Sequence, residues 1–399
     1  MADVQLFKFD GLFAESTPEP RPRSTKPNKY EFGIAYGVPE TIPLDGLREA
    51  ISKGLKEDGR GLAKYPHPQG YPPLRELIAQ RLLATRNVRV SPDDILLGDG
   101  SGQTIHLICE ALFDPGDVVL TESFTFNGTL NSMRRFRADT RGVPCDDDGM
   151  FPEALEQSVK DSIAQGKKPK FIYVVPTFQN PLGWEMTLGR RQDVLRIAQQ
   201  YDLPIFEDDC YVDLRFEGES VTSIHSLDDT GRVLYTASFS KNIAPGIRIG
   251  YVTAPPVVME RLKVIRGGWV NEFAAMAVYQ YSKDNLDDHI EELTDVLRGK
   301  RDAMLAALGE SFGSAATWTV PSGGMYVWVT MPEGTDASAA LSVALDAGVA
   351  YQPGHIFAPD GVSGKNCFRL TFGYNSLEEI HDGIGLLAEV FTREGVFAS

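Results

Sequence analysis

The chain has 399 residues, 42% hydrophobic and 24% charged, with 39 Lys+Arg against 55 Asp+Glu and a net charge of −16. That length exceeds one ordinary domain and suits two, and the composition is that of a normal globular protein. The acidic balance argues against nucleic acid or an anionic membrane as partner, because both need basic surface, so any anionic ligand must be held by local positive groups.

The N-terminus, MADVQLFKFDGLFAES, has neither the basic start nor the unbroken apolar stretch of a signal peptide. No run reaches the roughly 18 apolar residues a membrane-spanning helix needs. Cys109, Cys145, Cys210 and Cys367 lie far apart without C-x-x-C spacing, which suggests neither a zinc site nor a redox pair. They read as reduced thiols of a cytoplasmic protein, and no metal site is expected. Residues 17–29, TPEPRPRSTKPNK, are rich in proline and charge and read as an extended arm.

After the arm, short apolar runs alternate with helical patterns. The runs are DILLG (94–98), DVVLTE (117–122), ADTRGVP (138–144), FIYVVP (171–176), LPIFED (203–208), RVLYTAS (232–238) and RIGYVTA (248–254). Between them, QTIHLICEALF (103–113) and RRQDVLRIAQQY (190–201) place apolar residues at helical spacing. The alternation predicts an α/β fold with a large, mostly parallel sheet of about seven strands. From residue 256 the pattern turns helical through 287–308. The remainder mixes strand signals, GMYVWVTM (324–331) and NCFRLTFGY (366–374), with helices expected at 336–347 and 376–393. The expected division is an arm and part of a small domain at 1–50, a large ligand-binding domain at 51–285, and a smaller α/β C-terminal domain at 286–399.

In open α/β sheets ligands bind beyond the carboxyl ends of the strands. Four loops there carry unusual chemistry. LGDGSGQT (97–104) joins a strand through glycines to a helix starting near Ser101, an arrangement suited to an anion. PTFQNPLGW (176–184) brackets a Gln-Asn pair with prolines. IFEDDCYVDL (205–214) ends a strand in three acids, which could bind a metal or pair with a protonated ring nitrogen. TASFSKNIAPGIRIGY (236–251) offers Ser238, Ser240, Lys241 and Arg248 around a Pro-Gly turn. Each alone fits an ordinary connection. Together they ask for a ligand with a phosphate, a group that takes a lysine, a basic ring nitrogen and a hydrogen-bonding oxygen, and pyridoxal 5'-phosphate (PLP) meets all four.

The pattern S-x-S-K-x-x-x-P-G-x-R-x-G-Y at 238–251, with N-P-x-G at 180–183 and D-x-x-Y at 208–211, closely resembles the fold-type I PLP-dependent aminotransferases of class I/II. The resemblance runs from about residue 30 to the end. It implies that Lys241 holds PLP as a Schiff base and acts as catalytic base. Asp208 would keep the ring nitrogen protonated, and Tyr211 and Asn180 would contact the phenolic oxygen. Ser101, Gly102, Gln103, Ser238, Ser240 and Arg248 would hold the phosphate, and Phe126 would stack on the ring. Arg369, in CFRLTFG, would grip the substrate α-carboxylate. YPHPQGYPPLRE (65–76) resembles the segment whose tyrosine, here Tyr65, reaches the phosphate of the other subunit, which implies a homodimer with shared active sites. The implied reaction is a ping-pong transfer of an amino group from an L-α-amino acid to a 2-oxo acid such as 2-oxoglutarate or pyruvate.

Cys210 and Leu182 depart from the residues usual in the family, and each reads as a passive substitution. The wording EDDCYVDLRF and the N-terminal arm resemble the subgroup of 2-aminoadipate, kynurenine and aromatic aminotransferases. There the arm folds over the substrate, so Arg21 or Arg23 could meet an acidic side chain, and Tyr36 and Gly37 match the segment lining the substrate pocket. The alternatives are another PLP reaction on the same scaffold (β-elimination, decarboxylation or oxidative deamination) or a PLP-binding regulatory module.

Overall fold

The computed structural model describes residues 11–14, 17 and 27–397. Arg21 and Arg23, with most of the arm expected over 17–29, lie outside the described residues.

Seven strands form the central sheet: β1 (Ile95–Gly98), β2 (Val118–Glu122), β3 (Asp139–Val143), β4 (Phe171–Val174), β5 (Ile205–Asp208), β6 (Val233–Ser238) and β7 (Gly250–Thr253). Their order is β1-β7-β6-β5-β4-β2-β3. β7 runs antiparallel to both its neighbours and every other pair is parallel. All residues of β1, β2, β4, β5, β6 and β7 are buried. That is why these strands read as mainly apolar runs, with polar residues gathered toward one end in β2, β5 and β6: a parallel sheet is covered by helices on both faces. The edge strand β3 instead carries half-exposed Asp139, Thr140 and Arg141, polar groups that discourage pairing with another chain.

Parallel direction gathers the strand ends. Gly98, Glu122, Val174, Asp208 and Ser238 all close their strands on one edge, and Gly250, the start of β7, pairs with both Gly98 and Ser238. The four loops singled out above therefore share that edge. The helical patterns at 103–113 and 190–201 correspond to helices Ser101–Leu112 and Leu188–Gln200.

A helix of 40 residues, Glu272–Ser311, begins under an Asn271 cap whose side chain accepts from the Ala274 N–H at 3.0 Å. Early in it, Met276 packs against helix Leu44–Asp58, where a side chain on Gly54 would collide with it. Just beyond its end, the Phe312 ring meets Phe391 of helix Leu377–Arg393 at 5.9 Å. The division expected near residue 285 thus falls inside one continuous helix, which both parts share. The C-terminal part holds a second sheet, ordered Thr317–Trp318, Tyr326–Thr330, Cys367–Thr371, Gln352–Pro353. N-terminal residues join this part, because Tyr30–Glu31 pairs in parallel with Val349–Ala350. The helix expected at 336–347 is shorter, Leu341–Asp346. Asp336 Oδ1 accepts from the N–H groups of Ser338 and Ala339, a capping geometry, but residues 337–340 form a turn before the helix proper begins. Among the described residues, no helix is long and apolar enough to cross a membrane.

Candidate active site

The strand-end loops, the segment Gly33–Ala35 and three side chains of the C-terminal sheet, Tyr326, Gln352 and Arg369, enclose a cavity of about 390 Å³. A larger depression of about 830 Å³ lies between Asp146, Trp184 and Trp318 and includes Leu182, but none of the predicted lysine, arginine or serine groups borders it. The chemistry selects the smaller space.

At one end the backbone itself forms a cradle. Gly100, at φ 79°, precedes helix Ser101–Leu112 and supplies no side-chain cap; the Gln103 N–H donates to the Gly100 carbonyl at 3.2 Å, which leaves the Ser101 and Gly102 N–H groups as donors at the helix start. Ser101 and Gly102 line the cavity. A side chain on Gly100 would strike the Arg248 guanidinium, and one on Gly250 would lie 2.5 Å from the Ser101 nitrogen. Only glycine lets β7 and this loop come so close. Arg248, itself at φ 57°, donates to the Asp99 carbonyl at 2.8 Å and to Ser240 Oγ at 3.4 Å. Ser238 Oγ donates to Ser240 Oγ at 2.9 Å and accepts from the Ser240 N–H at 3.1 Å. Gln103 plays a different part from its neighbours: its Oε1 accepts from the Asp99 N–H at 2.9 Å, so it braces the loop.

Lys241 follows β6 by three residues and is partly buried. Its ammonium donates to the Ala35 carbonyl at 2.6 Å. Burial, then the positive charge of Arg369, lowers its pKa from 10.5 to about 8. Asp208 ends the adjacent strand. Strand alternation separates the three acids. Glu207 accepts from the N–H groups of Ile224 and His225, and Asp209 pairs with Arg86 at 2.8 Å and Tyr235 at 2.9 Å. Asp208 alone of the three lines the cavity. Its Oδ2 accepts from the Tyr173 hydroxyl at 2.7 Å. Its buried Oδ1 has no hydrogen-bond partner. Burial raises the Asp208 pKa, while the Tyr173 bond and nearby Cys210 act against that rise. The Cys210 thiol beside it is pushed far up by burial and stays protonated, which makes it a small neutral neighbour.

Arg369, on the C-terminal sheet, donates to Asn180 Oδ1 at 2.8 Å and to the Gly33 carbonyl at 2.5 Å, with Nε unpartnered. Its guanidinium stacks on the rings of Tyr326 at 4.5 Å and Phe357 at 4.9 Å. Asn180 Nδ2 donates to the Tyr211 hydroxyl at 3.1 Å and the Tyr326 hydroxyl at 3.3 Å, and the two hydroxyls lie 2.7 Å apart. Phe126 lines the cavity as the residue before helix Asn127–Arg135. Tyr36 and Gly37 flank the lining segment instead: Tyr36 packs on Tyr374 at 5.2 Å, and Gly37 lies against Pro245. Tyr65 is 82% exposed and stacks on Trp269 at 4.6 Å, outside this cavity. Sequence reasoning missed Tyr326, Gln352, Tyr173 and the carbonyls of Gly33 and Ala35. The tyrosines look like ordinary core aromatics in their strands, and a backbone carbonyl leaves no mark in a sequence.

These residues fit PLP. The orphaned Asp208 Oδ1 offers the acceptor a protonated ring nitrogen needs. The glycine cradle, serines and Arg248 offer donors for a phosphate, and the depressed Lys241 amine suits an aldehyde. Among the described residues no group of three or more His, Cys, Asp or Glu side chains is placed to hold a metal ion.

Fold and site together define a lysine-dependent PLP enzyme on a doubly covered α/β sheet. The chain belongs to the class I and II aminotransferases, whose family model matches residues 35–383. It is 37% identical over 370 residues to aromatic-amino-acid aminotransferase 1 of Thermococcus litoralis, covering 91% of this chain and 88% of that one. Its structure resembles the multiple substrate aminotransferase of Thermococcus profundus, with TM-score 0.91, 32% identity, and 97% and 99% of the two chains covered. It also resembles the Pyrococcus horikoshii kynurenine aminotransferase, solved in complex with PMP, with TM-score 0.90, 34% identity, and 96% and 97% covered. The protein is a PLP-dependent aminotransferase that moves amino groups between amino acids and 2-oxo acids.

Proposed function

We propose that this aminotransferase takes an L-α-amino acid and passes its amino group to 2-oxoglutarate or pyruvate, both substrates visiting the one cavity in turn. The observation that carries the reading is the convergence of Lys241, Asp208 and Arg369 on that cavity. Bound PLP supplies an electron sink that makes the substrate Cα proton acidic. Asp208 Oδ1 holds the proton on the ring nitrogen. Lys241, with its lowered pKa, is neutral often enough to take the Cα proton and return it one atom away. Arg369, pre-aligned by Asn180 and Gly33, grips the α-carboxylate bidentately. Asn180 and Tyr211 hydrogen-bond the phenolic oxygen, and Ser101, Gly102, Ser238, Ser240 and Arg248 hold the phosphate. The segment Gly33–Ala35 borders one side of the cavity. The test is a panel of single amino acids given to the PLP-loaded enzyme without acceptor. One equivalent of 2-oxo acid and no ammonia is expected, whereas release of ammonia or carbon dioxide points to another reaction class.

We infer further that two copies of the chain pair across the face bearing Tyr65, so that Tyr65 reaches the partner's phosphate site. Support comes from exposed Tyr65, Leu62, Trp269 and Phe273, and from a groove at Ile247 and Arg248 on the rim of the cavity. Sedimentation showing a monomer at micromolar concentration overturns this. The four unpaired thiols support a cytoplasmic location.

A further inference from the structure

We propose that Tyr173 and Thr129 form a hydrogen-bond relay that fixes the charge and orientation of Asp208, and so sets the protonation of the cofactor ring nitrogen. The proposal rests on the reading of Asp208 as that nitrogen's partner. Tyr173 is therefore a positioning residue, acting through Asp208.

The geometry runs one way. Thr129 Oγ1 donates to the Tyr173 hydroxyl at 2.9 Å, and the Tyr173 hydroxyl donates to Asp208 Oδ2 at 2.7 Å. All three side chains are buried, so water does not substitute for either bond. Burial and the neighbouring carboxylate push the Tyr173 pKa well above its ordinary value, so its hydroxyl keeps its proton and remains a donor. The Thr129 bond occupies a lone pair on the tyrosine oxygen, and the tyrosine proton is left for Asp208. Successive bonds polarise one another in this direction and strengthen the last.

The consequence falls on Asp208. A carboxyl group buried among apolar residues favours its neutral form, which would hand no negative charge to a ring nitrogen. A short hydroxyl bond to Oδ2 favours the carboxylate and also fixes its rotation, leaving Oδ1 as the free acceptor. The nearby buried acid Glu122 does not compete for the relay. Its oxygens accept from Thr125 at 2.7 Å and from the Val175 N–H at 2.7 Å. The relay also ties the acid to the stacking ring. Thr129 lies in the first turn of helix Asn127–Arg135, whose N-cap is Phe126, and its N–H donates to the Phe126 carbonyl at 3.1 Å. One helix start thus places the ring that would lie on the cofactor face and the donor that ends the relay.

The test uses holoenzyme loaded with PLP carrying ¹⁵N in the ring, whose chemical shift separates pyridinium from neutral pyridine. In Tyr173→Phe the resonance is expected to move toward neutral pyridine at neutral pH. The value of kcat should fall roughly 10- to 150-fold, the loss of one hydrogen bond to a charged group, with a change in KM of less than about threefold. Thr129→Val should move the resonance the same way by less, and Thr129→Ser should restore it. Asp208→Asn separates the two layers of the argument. If Asp208→Asn loses the pyridinium signal while Tyr173→Phe and Thr129→Val keep the wild-type resonance, the relay is overturned. If Asp208→Asn itself keeps it, the assignment of Asp208 fails. Should Tyr173→Phe not fold, the threonine pair alone decides.

Discussion

The lowered pKa of Lys241 can be measured without any cofactor. With a pKa of about 8, roughly one amine in ten is neutral at pH 7, whereas at the ordinary 10.5 only about one in three thousand would be. The site therefore raises the reactive population by roughly 300-fold. Burial is the larger cause and Arg369 the next, which separates the two contributions experimentally. Apoenzyme would be labelled with trace acetic anhydride between pH 6 and 11, and acetylation of the Lys241 peptide quantified by mass spectrometry. Reactivity should rise about tenfold per pH unit up to a midpoint near 8 and then level off. In Arg369→Gln the midpoint should move upward yet stay well below 10.5, because burial persists. A wild-type midpoint near 10.5 refutes the burial argument. A midpoint that Arg369→Gln leaves unmoved or lowers refutes the electrostatic one. The sign has a stability counterpart: between about 8 and 10.5 the unfolded chain holds a proton on Lys241 that the native apoenzyme lacks, so this residue makes apoenzyme stability rise with pH across that window.

The same Arg369→Gln variant should lower kcat/KM for amino acid donors by roughly 10- to 150-fold while leaving PLP affinity within about threefold, since in the proposed role Arg369 makes charged bonds to the substrate and none to the phosphate; equal loss of cofactor affinity contradicts that role. Arg86→Ala should destabilise the fold by about 3–5 kcal/mol in urea unfolding, because it strands the buried Asp209 charge. Burial opposes ionisation of Asp209, but Arg86 and then Arg191 outweigh it and hold its pKa below 3.8. The pair's stabilisation is thus full above that value and lost as pH falls through the lower native pKa. In the variant burial wins, Asp209 takes up a proton more readily, and the gap from wild type should be smaller at pH 5 than at pH 8; a gap independent of pH contradicts the ion-pair account.

The sequence was most legible where function and covalent spacing coincide. Ser238, Ser240, Lys241 and Arg248 sit in one loop between two adjacent strands, so their proximity follows from chain connectivity and the Pro-Gly turn. The mainly apolar runs marked the strands, because a sheet covered on both faces favours such residues, and parallel direction then put the loops on one edge. The domain division was less legible. Helix Glu272–Ser311 carries its apolar positions continuously past residue 285, and nothing local marks where one packing partner gives way to the next.

By itself, then, the sequence determined the strand ends and the grouping of Ser238, Ser240, Lys241 and Arg248 in one loop, since each depends on neighbours a few residues away. Only the tertiary structure decided which of Glu207, Asp208 and Asp209 faces the cavity, and what holds it there. Strand alternation turns Asp208 inward while Arg86 and the Ile224 and His225 N–H groups claim its neighbours. Its Tyr173 partner lies 35 residues back in the chain, and Thr129 a further 44. Gly33 meets Arg369 across 336 residues. Contacts over such separations are made by the packing of whole elements. The residues that make them are a tyrosine in an apolar strand, a threonine in a helix and a glycine carbonyl, types common enough to carry no signal until the fold brings them together.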